Sequence, residues 1–369
     1  MRYLSLVILF LLKSVLLFGQ TDTILHSIYL IGDTGKDTIP SEALQLLAFE
    51  SFDDSSSTLL FLGDNCYPQG LNPHYSRNKT NRAIRILESQ YEVLVGYRGN
   101  LKIIPGNHDW SSGKRSGKRA VEAQGMLADT WFKKNSIVKN RNKGVFSPRN
   151  GMPGPELFSV NEHLNILVLD SQWWLHSGLL KPKGRFDGMN YRKTRLASLK
   201  RLDSLLASNI GKGDMNIIAA HHPLFTNGKH VHINEPMRSL VNFTPLKILG
   251  ILGLDRYFNQ DLAQPRYKRY RRSMLKVMAK YPNTIFVSGH EHAMEYFEKD
   301  SLHFIVSGSG SKLTDLNRYR YPAHFMDDLQ NGFFRITIHA SGNVQLHAYG
   351  VKDRGEYWKT LLFKLPALD

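Results

Sequence analysis

Five short apolar runs, each followed by residues with metal-binding side chains, constrain the fold of this chain most strongly. The last run, residues 284–287, leads into Gly289, His290, Glu291 and His292. Runs of Ile, Phe and Val of this length are typical of buried strands. Ligands bind outside the carboxyl ends of strands in open α/β sheets, so we expect both histidines at such an edge.

The four earlier runs end in the same way. A glycine precedes the polar residue in three of them, which lets the backbone turn sharply and approach an ion. Any one segment alone fits an ordinary strand-ending turn, where Gly, Asp and Asn are common. All five together predict one site. In order, Asp33 follows residues 28–31, Asp64 follows 59–62, Asn107 and His108 follow 102–104, and His221 follows 216–219.

The number of candidate ligands predicts two metal ions. One ion takes about four to six ligands and must leave a position open for water if it is catalytic. The sequence offers more than that. The seven candidates are Asp33, Asp64, Tyr67, Asn107, His221, His290 and His292.

The five segments resemble those of the calcineurin-like metallophosphoesterase superfamily, and most closely its purple acid phosphatase branch. Gly35 stands where most of the superfamily has a ligand histidine, and Tyr67 has the spacing of the branch's iron-binding tyrosine. The resemblance spans residues 28–310 and is specific at the motifs. It implies an α/β fold in which a two-sheet β-sandwich is flanked by helices, the four-layer αββα arrangement.

The resemblance also implies a ligand set for each metal. Asp64 would bridge the two ions, and a phenolate ligand would favour Fe(III) at the first position. The second position would take Fe, Zn or Mn. The first metal would bind Asp33, Asp64, Tyr67 and His292, and the second Asp64, Asn107, His221 and His290.

The activity implied is hydrolysis of small-molecule phosphate esters by a metal-bound hydroxide, with monoesters preferred on branch resemblance. His108 would protonate the leaving group, and Asp109 would orient its ring. Asn107 would contact the substrate, and His222 would either contact the phosphate or pack behind the ligands. The alternatives are a phosphodiesterase or nucleotide hydrolase on the same site, and a non-catalytic metal-bearing surface domain, for which His108 would be needless.

The amino terminus predicts export. Arg2 precedes an apolar run that resembles a signal peptide over residues 1–20, with the phosphoesterase domain at 24–365. An uncleaved anchor and a buried strand are the alternatives, and Lys13 weakens the anchor. We expect a periplasmic or extracellular location, with membrane association as an alternative. The single cysteine, Cys66, excludes an internal disulfide and is expected to be a small buried filler.

Residues 224–282 interrupt the expected alternation of strands and helices. An apolar stretch at 243–254 precedes a basic, tyrosine-containing stretch at 266–272, in a chain of net charge +16. The simplest interpretation is a helical insert that packs on the domain with its basic face in solvent. An element on an anionic bilayer is the second interpretation. Nucleic acid is the weakest, since basic and aromatic residues alone are poor evidence for it. The strands expected after residue 333 are assigned to a second sheet.

Overall fold

Two mixed β-sheets packed face to face, with helices on their outer faces, make up the fold of the computed structural model. This α/β sandwich is the architecture that the sequence predicts. The signal peptide predicted at 1–20 and the apolar stretch 243–254 lie outside the described residues. The structure describes residues 22–114, 116–176, 190–208, 215–229, 262, 264–282, 284–318, 320–352 and 356–365.

The first sheet has the strand order β13-β12-β11-β1-β2-β3. Its strands β1 to β3 are parallel, whereas β11 pairs antiparallel with β1. The assignment of the C-terminal strands to the second sheet was therefore wrong. The free edge of β1 has backbone donors and acceptors that need partners, and β11 supplies them. The strands are β1 (Ile24–Ile31), β2 (Ser57–Phe61), β3 (Asn100–Ile103), β11 (Gly332–His339), β12 (Val344–Val351) and β13 (Tyr357–Leu365).

The second sheet has the order β10-β8-β9-β7-β6-β5-β4. Its central strands β5, β6, β7 and β9 are parallel, and antiparallel strands form both edges. The sequence did not predict β8, which begins two residues after His292, or the short β10. The strands are β4 (Glu156–Ser159), β5 (Leu164–Val168), β6 (Met215–Ala219), β7 (Thr284–Ser288), β8 (Met294–Lys299), β9 (Leu302–Ser307) and β10 (Phe325–Asp327).

The first helix that the structure describes has one buried apolar face. It begins after Ser41, whose hydroxyl caps it by accepting a hydrogen bond from the amide of Leu44. Its buried face contains Ala43, Leu44 and Leu47. Among the residues that the structure describes, five α-helices precede the region of the insert: α1 (Glu42–Ser51), α2 (Arg77–Glu92), α3 (Gly117–Asn135), α4 (Ser171–Leu175) and α5 (Tyr191–Ser208).

The basic stretch of the predicted insert belongs to a regular crossover helix, α6 (Pro265–Met278), between the parallel strands β6 and β7. The alternation of strand and helix therefore resumes there. Tyr267 and Tyr270 are buried, so they cannot stack on nucleic-acid bases. The apolar face of α6 lies against the domain and is not available to a bilayer. Its exposed residues include Lys268, Arg269, Arg272 and Lys276.

Among the helices of the described residues, none combines the length and the apolar character needed to cross a bilayer.

The core between the two sheets consists of alternate strand residues whose side chains point inward. Leu30 and Leu60 of the first sheet and Ile217 of the second are fully buried. Leu346 of β12 belongs to the same apolar cluster and lies on a strand that contributes no candidate ligand. A substitution at Leu346 therefore tests the packing of the core without removing a candidate metal ligand.

We expect Leu346→Ala to lower the free energy of unfolding by about 2–5 kcal/mol, because it removes buried methyl groups and leaves a cavity. Leu329→Ala is the matched control: Leu329 is 77% exposed, and its loss should change stability by less than about 0.5 kcal/mol. Urea unfolding measures the stability of both variants, and a chelator in the buffer removes any contribution from bound metal. Equal midpoints for the two variants would contradict this assignment of the core.

Candidate metal centre

The ends of the two sheets are joined at the edge where the predicted ligands lie. The amide of Gly32, at the end of β1, donates to the carbonyl of Ser307 at the end of β9, with an N–O distance of 2.7 Å. The amide of Gly289 donates to the carbonyl of His221 at 3.0 Å. These bonds bring segments that are far apart in sequence to one place.

Three of the candidate ligands form a first group. The hydroxyl of Tyr67 donates to Asp33 Oδ1 at 2.8 Å and lies 3.2 Å from His292 Nε2. His292 Nε2 is also 3.6 Å from Asp33 Oδ1. A carboxylate, a phenol and an imidazole thus point their donor atoms at one another, as ligands of a common ion do.

Asn107, His221 and His290 form a second group. Asn107 Oδ1 lies 3.0 Å from both His221 Nε2 and His290 Nδ1, and these two nitrogens are 3.2 Å apart. The Nδ1–H of His221 donates to the carbonyl of Leu62 at 2.8 Å. That bond leaves Nε2 of His221 with a lone pair directed at the group, the tautomer that a metal ligand needs.

Asp64 lies between the two groups. Its Oδ1 is 3.4 Å from His221 Nε2, and donor atoms of Asp33, Asp64 and His221 all lie within 4.8 Å of one another. The backbone N–H of His108 donates to Asp64 Oδ1 at 2.9 Å and fixes the carboxylate. The position of Asp64 is the one that a bridging ligand requires.

The backbone at three of the seven candidates is in the left-handed region. The φ angles are 59° at Asp33, 54° at Asp64 and 73° at His290. For residues other than glycine this conformation is uncommon and costs about 1–3 kcal/mol. Strain of this kind concentrates at functional sites, and here it coincides with three residues predicted from sequence to bind metal.

Two glycines allow the motifs to approach one another. A Cβ atom on Gly106 would lie 2.2 Å from Asp64 Oδ1, and one on Gly35 would lie 2.2 Å from the backbone of Asn65. With this backbone, a histidine at position 35 would collide with the second motif. The hydroxyl of Tyr67 instead reaches Asp33. The departure from the wider superfamily at Gly35 therefore has a steric reason.

The acids of the centre are buried, and their pKa values are shifted in opposite directions: neighbouring histidines, His221 first, lower the pKa of Asp64 to about 2. Burial, and then the charge of Asp64, raises the pKa of Asp33 well above its usual range. Burial and Asp33 raise the pKa of Tyr67 in the same way. Burial lowers the pKa of His221 to about 4, which keeps its imidazole neutral and able to coordinate. Bound cations would act in the opposite direction and lower the pKa values of Asp33 and Tyr67.

His108 lies at the rim of the site, but Asp109 does not orient its ring. The Nδ1–H of His108 donates to the carbonyl of Pro68 at 2.6 Å, and Nε2 lies 3.9 Å from Asp64 Oδ2. Asp109 is fully buried and accepts hydrogen bonds from the amides of Asn65 and Gly106. The predicted contact was wrong, because these two residues, although adjacent in sequence, bind different partners in the folded turn.

His222 lies beside the second group. A donor nitrogen of its ring lies within 4.8 Å of donor atoms of both His221 and His290. Its Nδ1 is 2.8 Å from Ser171 Oγ, and its amide donates to the same oxygen. This position is compatible with both predicted roles, a phosphate contact and a supporting residue.

Two residues at the centre, Lys312 and Thr314, were missed by the sequence analysis. Lys312 Nζ lies 3.9 Å from the centroid of the Tyr67 ring, and Thr314 Oγ1 lies 3.0 Å from His292 Nδ1. Both follow the small residues Ser307, Gly308, Ser309 and Gly310, which by themselves indicate a turn and not a contact with a metal site. Cys66 is buried as expected, and burial raises the pKa of its thiol, which disfavours a thiolate ligand.

The donor set fits two cations. Carboxylate, phenol and amide oxygens are hard donors that suit Fe(III) and Mn, and imidazole suits Fe and Zn, so a mixed set of this kind can bind any of these metals. Asp33, Tyr67 and His292 can hold one ion, Asn107, His221 and His290 can hold the other, and Asp64 lies within reach of both groups.

Three solved structures share this fold. GAP50, the anchor in the inner membrane complex of Plasmodium, is 16% identical over 94% of this chain and 90% of that chain, with a TM-score of 0.55. A dimetal phosphatase from Danio rerio is 12% identical over 92% and 100%, with a TM-score of 0.50. PhoD is 11% identical over 92% and 69%, with a TM-score of 0.55. At these identities the likeness concerns the fold alone.

No curated protein matches this chain in sequence. The model of one protein family, described as calcineurin-like phosphoesterase, matches residues 26–294. That match covers most of the chain and includes all seven candidate ligands. The protein therefore belongs to the calcineurin-like phosphoesterase family.

Proposed function

We propose that this protein is a binuclear metallophosphoesterase that hydrolyses phosphate monoesters. The observation that carries the proposal is the arrangement of two donor groups on either side of Asp64. Asp33, Tyr67 and His292 would hold the first ion, and Asn107, His221 and His290 the second. We propose Fe(III) at the first position, because the phenolate of Tyr67 is a hard anionic ligand. The second position would take Fe, Zn or Mn.

Two ions bound here would acidify water to give a nucleophile near neutral pH and would neutralise the phosphate oxygens. The chain's own residues do the rest. The amides of His290 and His108 hold Asp33 and Asp64 by hydrogen bonds of 2.8 and 2.9 Å. Because these donors are part of the backbone, the carboxylates are fixed before substrate arrives.

His108 is the proposed general acid. The carbonyl of Pro68 fixes its Nδ1–H, so Nε2, which faces Asp64, is the atom that can hold and transfer a proton. A proton placed on the leaving oxygen avoids release of an alkoxide. His222, beside the second group of ligands, would contact a phosphate oxygen. The hydroxyl of Ser171 would hold the His222 ring in place.

A non-catalytic role as a surface interaction domain is the second candidate. The likeness to GAP50, described as an anchor, favours it. The retention of His108 beside an intact donor set favours catalysis, because an anchor needs no proton donor. Turnover of p-nitrophenyl phosphate and of its bis-ester by metal-loaded protein separates the possibilities: monoesterase, diesterase, or neither.

We expect Asp64→Ala to lose both metals and all activity while the fold persists, because the variant removes the one side chain proposed to bridge both ions. Elemental analysis and circular dichroism provide the measurements. Asp37→Ala is the control, since the Asp37 side chain is 62% exposed on the surface. Two metals per chain in Asp64→Ala would refute the bridging role.

His108→Ala should lose about 10²- to 10⁴-fold in turnover of alkyl phosphates, whose leaving groups need a proton. Hydrolysis of p-nitrophenyl phosphate should fall much less, because nitrophenolate leaves unaided. His163→Ala is the matched control, because His163 is exposed and lies just before β5, at the end of that strand from which no candidate ligand follows. A uniform loss across both kinds of ester would argue against general-acid catalysis by His108.

Tyr67→Phe should abolish the visible colour of the iron-loaded protein, because the band would arise from charge transfer from phenolate to Fe(III). Phenylalanine keeps the ring and removes only the donor oxygen. We also expect weaker binding of the first metal. Tyr357→Phe, on the exposed part of β13, should leave the spectrum unchanged. A colourless wild-type protein with stoichiometric Fe(III) would show that Tyr67 only packs against the turn.

A further inference from the structure

The loop after β9 contacts all three of the residues that are proposed to bind the first metal and not the second. These contacts come from residues 311–314, four consecutive positions. Ser311 Oγ donates to the backbone carbonyl of Asp33, Lys312 Nζ lies 3.9 Å from the centroid of the Tyr67 ring, and Thr314 Oγ1 lies 3.0 Å from His292 Nδ1.

We propose that residues 311–314 form the supporting layer of the first metal position, in which Lys312 stabilises the negative charge on Tyr67 and Thr314 orients His292. The inference rests on the function proposed above, with Tyr67 as a ligand of iron. Lys312 and Thr314 are positioning residues, because they act on the metal through its ligands.

The geometry at Lys312 carries the first part of the proposal. A cation within about 6 Å of an aromatic centroid is attracted to the ring face, and 3.9 Å is well inside that limit. Lys312 is half-buried, so solvent screens its charge less than that of a surface lysine. The ring of His108 packs against Tyr67 with centroids 4.4 Å apart. Tyr67 is therefore held by neighbours as well as by its hydroxyl.

The charge of Lys312 should act on Tyr67 more strongly in the metal-bound protein. A phenolate ligand carries negative charge on its ring and oxygen, whereas a phenol is neutral. An ammonium group over the ring lowers the energy of the phenolate electrons. More energy is then needed to move an electron from phenolate to Fe(III). The same charge also favours reduction of the iron, which acts on the band in the opposite direction. Because Lys312 lies directly over the ring, its effect on the phenolate is the larger of the two.

Thr314 acts on His292 by a different contact. If Nε2 of His292 coordinates the metal, Nδ1 carries the hydrogen and donates it to Thr314 Oγ1. The amide of Thr314 also donates to the carbonyl of His292 at 3.0 Å. The side chain and backbone of Thr314 thus fix both the orientation of the ring and the position of its backbone.

The test compares Lys312→Met, Lys312→Arg and Thr314→Val with wild type in iron-loaded, full-length protein. Methionine removes the charge and keeps much of the length, arginine retains the charge, and valine retains the shape of threonine. The matched control is Lys229→Met. Lys229 forms an exposed ion pair with Asp315, the residue that follows Thr314, so this variant also removes a lysine charge at the loop. Circular dichroism establishes that each variant is folded.

We expect Lys312→Met to move the charge-transfer band to longer wavelength and to lower the reduction potential of the iron. Lys312→Arg should stay close to wild type, and Lys229→Met should match it. Thr314→Val should weaken binding of the first metal by about 10- to 100-fold in a chelator competition, the usual effect of losing a partner behind a ligand histidine.

The outcomes separate this inference from the proposed function. An unchanged band and potential in Lys312→Met, with a normal wild-type band, would overturn the role of Lys312 alone. Unchanged metal affinity in Thr314→Val would overturn the role of Thr314. Absence of a phenolate band from the iron-loaded wild-type protein would refute ligation by Tyr67, and the inference about Lys312 would fall with it.

Discussion

The structure depends above all on the burial of Asp33 and Asp64 beside each other. Both carboxylates are almost fully removed from water, at 0% and 2% exposed. Two such acids in a protein interior repel each other and lose hydration, which is costly unless donors or cations compensate. Backbone amides from the third and fifth motifs supply part of that compensation. The remainder is the physical reason to expect cations at this point of the fold.

Much of the surrounding structure serves to bring these groups together. Gln90 of α2 is an example: its Nε2 donates to the carbonyl of Asn65 at 2.8 Å, and its Oε1 accepts from Thr34 Oγ1 at 2.6 Å. One helix thereby ties the first motif to the second. The bond between Gly32 and Ser307 does the same between the two sheets. A helix and a sheet contact thus position donor atoms without contributing any.

The candidate ligands could be predicted because each is local in sequence. A strand, a turn and a polar residue occupy fewer than ten consecutive positions, and strand carboxyl ends are known places for ligands. The role of Asp109 could not be predicted in this way. It is adjacent to His108, but its partners are the amides of Asn65 and Gly106, and only the folded turn decides which side each residue faces. Lys312 and Thr314 escaped notice because their contacts lie on other motifs.

The sequence by itself determined the apolar runs that form the strands and the residues after them that are able to bind metal, because both are short-range patterns. Only the tertiary structure decided that β11 to β13 extend the first sheet, that α6 is a crossover helix, and that Lys312 lies on Tyr67. Strand partners and contacts between loops depend on which edges and faces remain unpaired once the chain has folded. That information is not contained in any single stretch of residues.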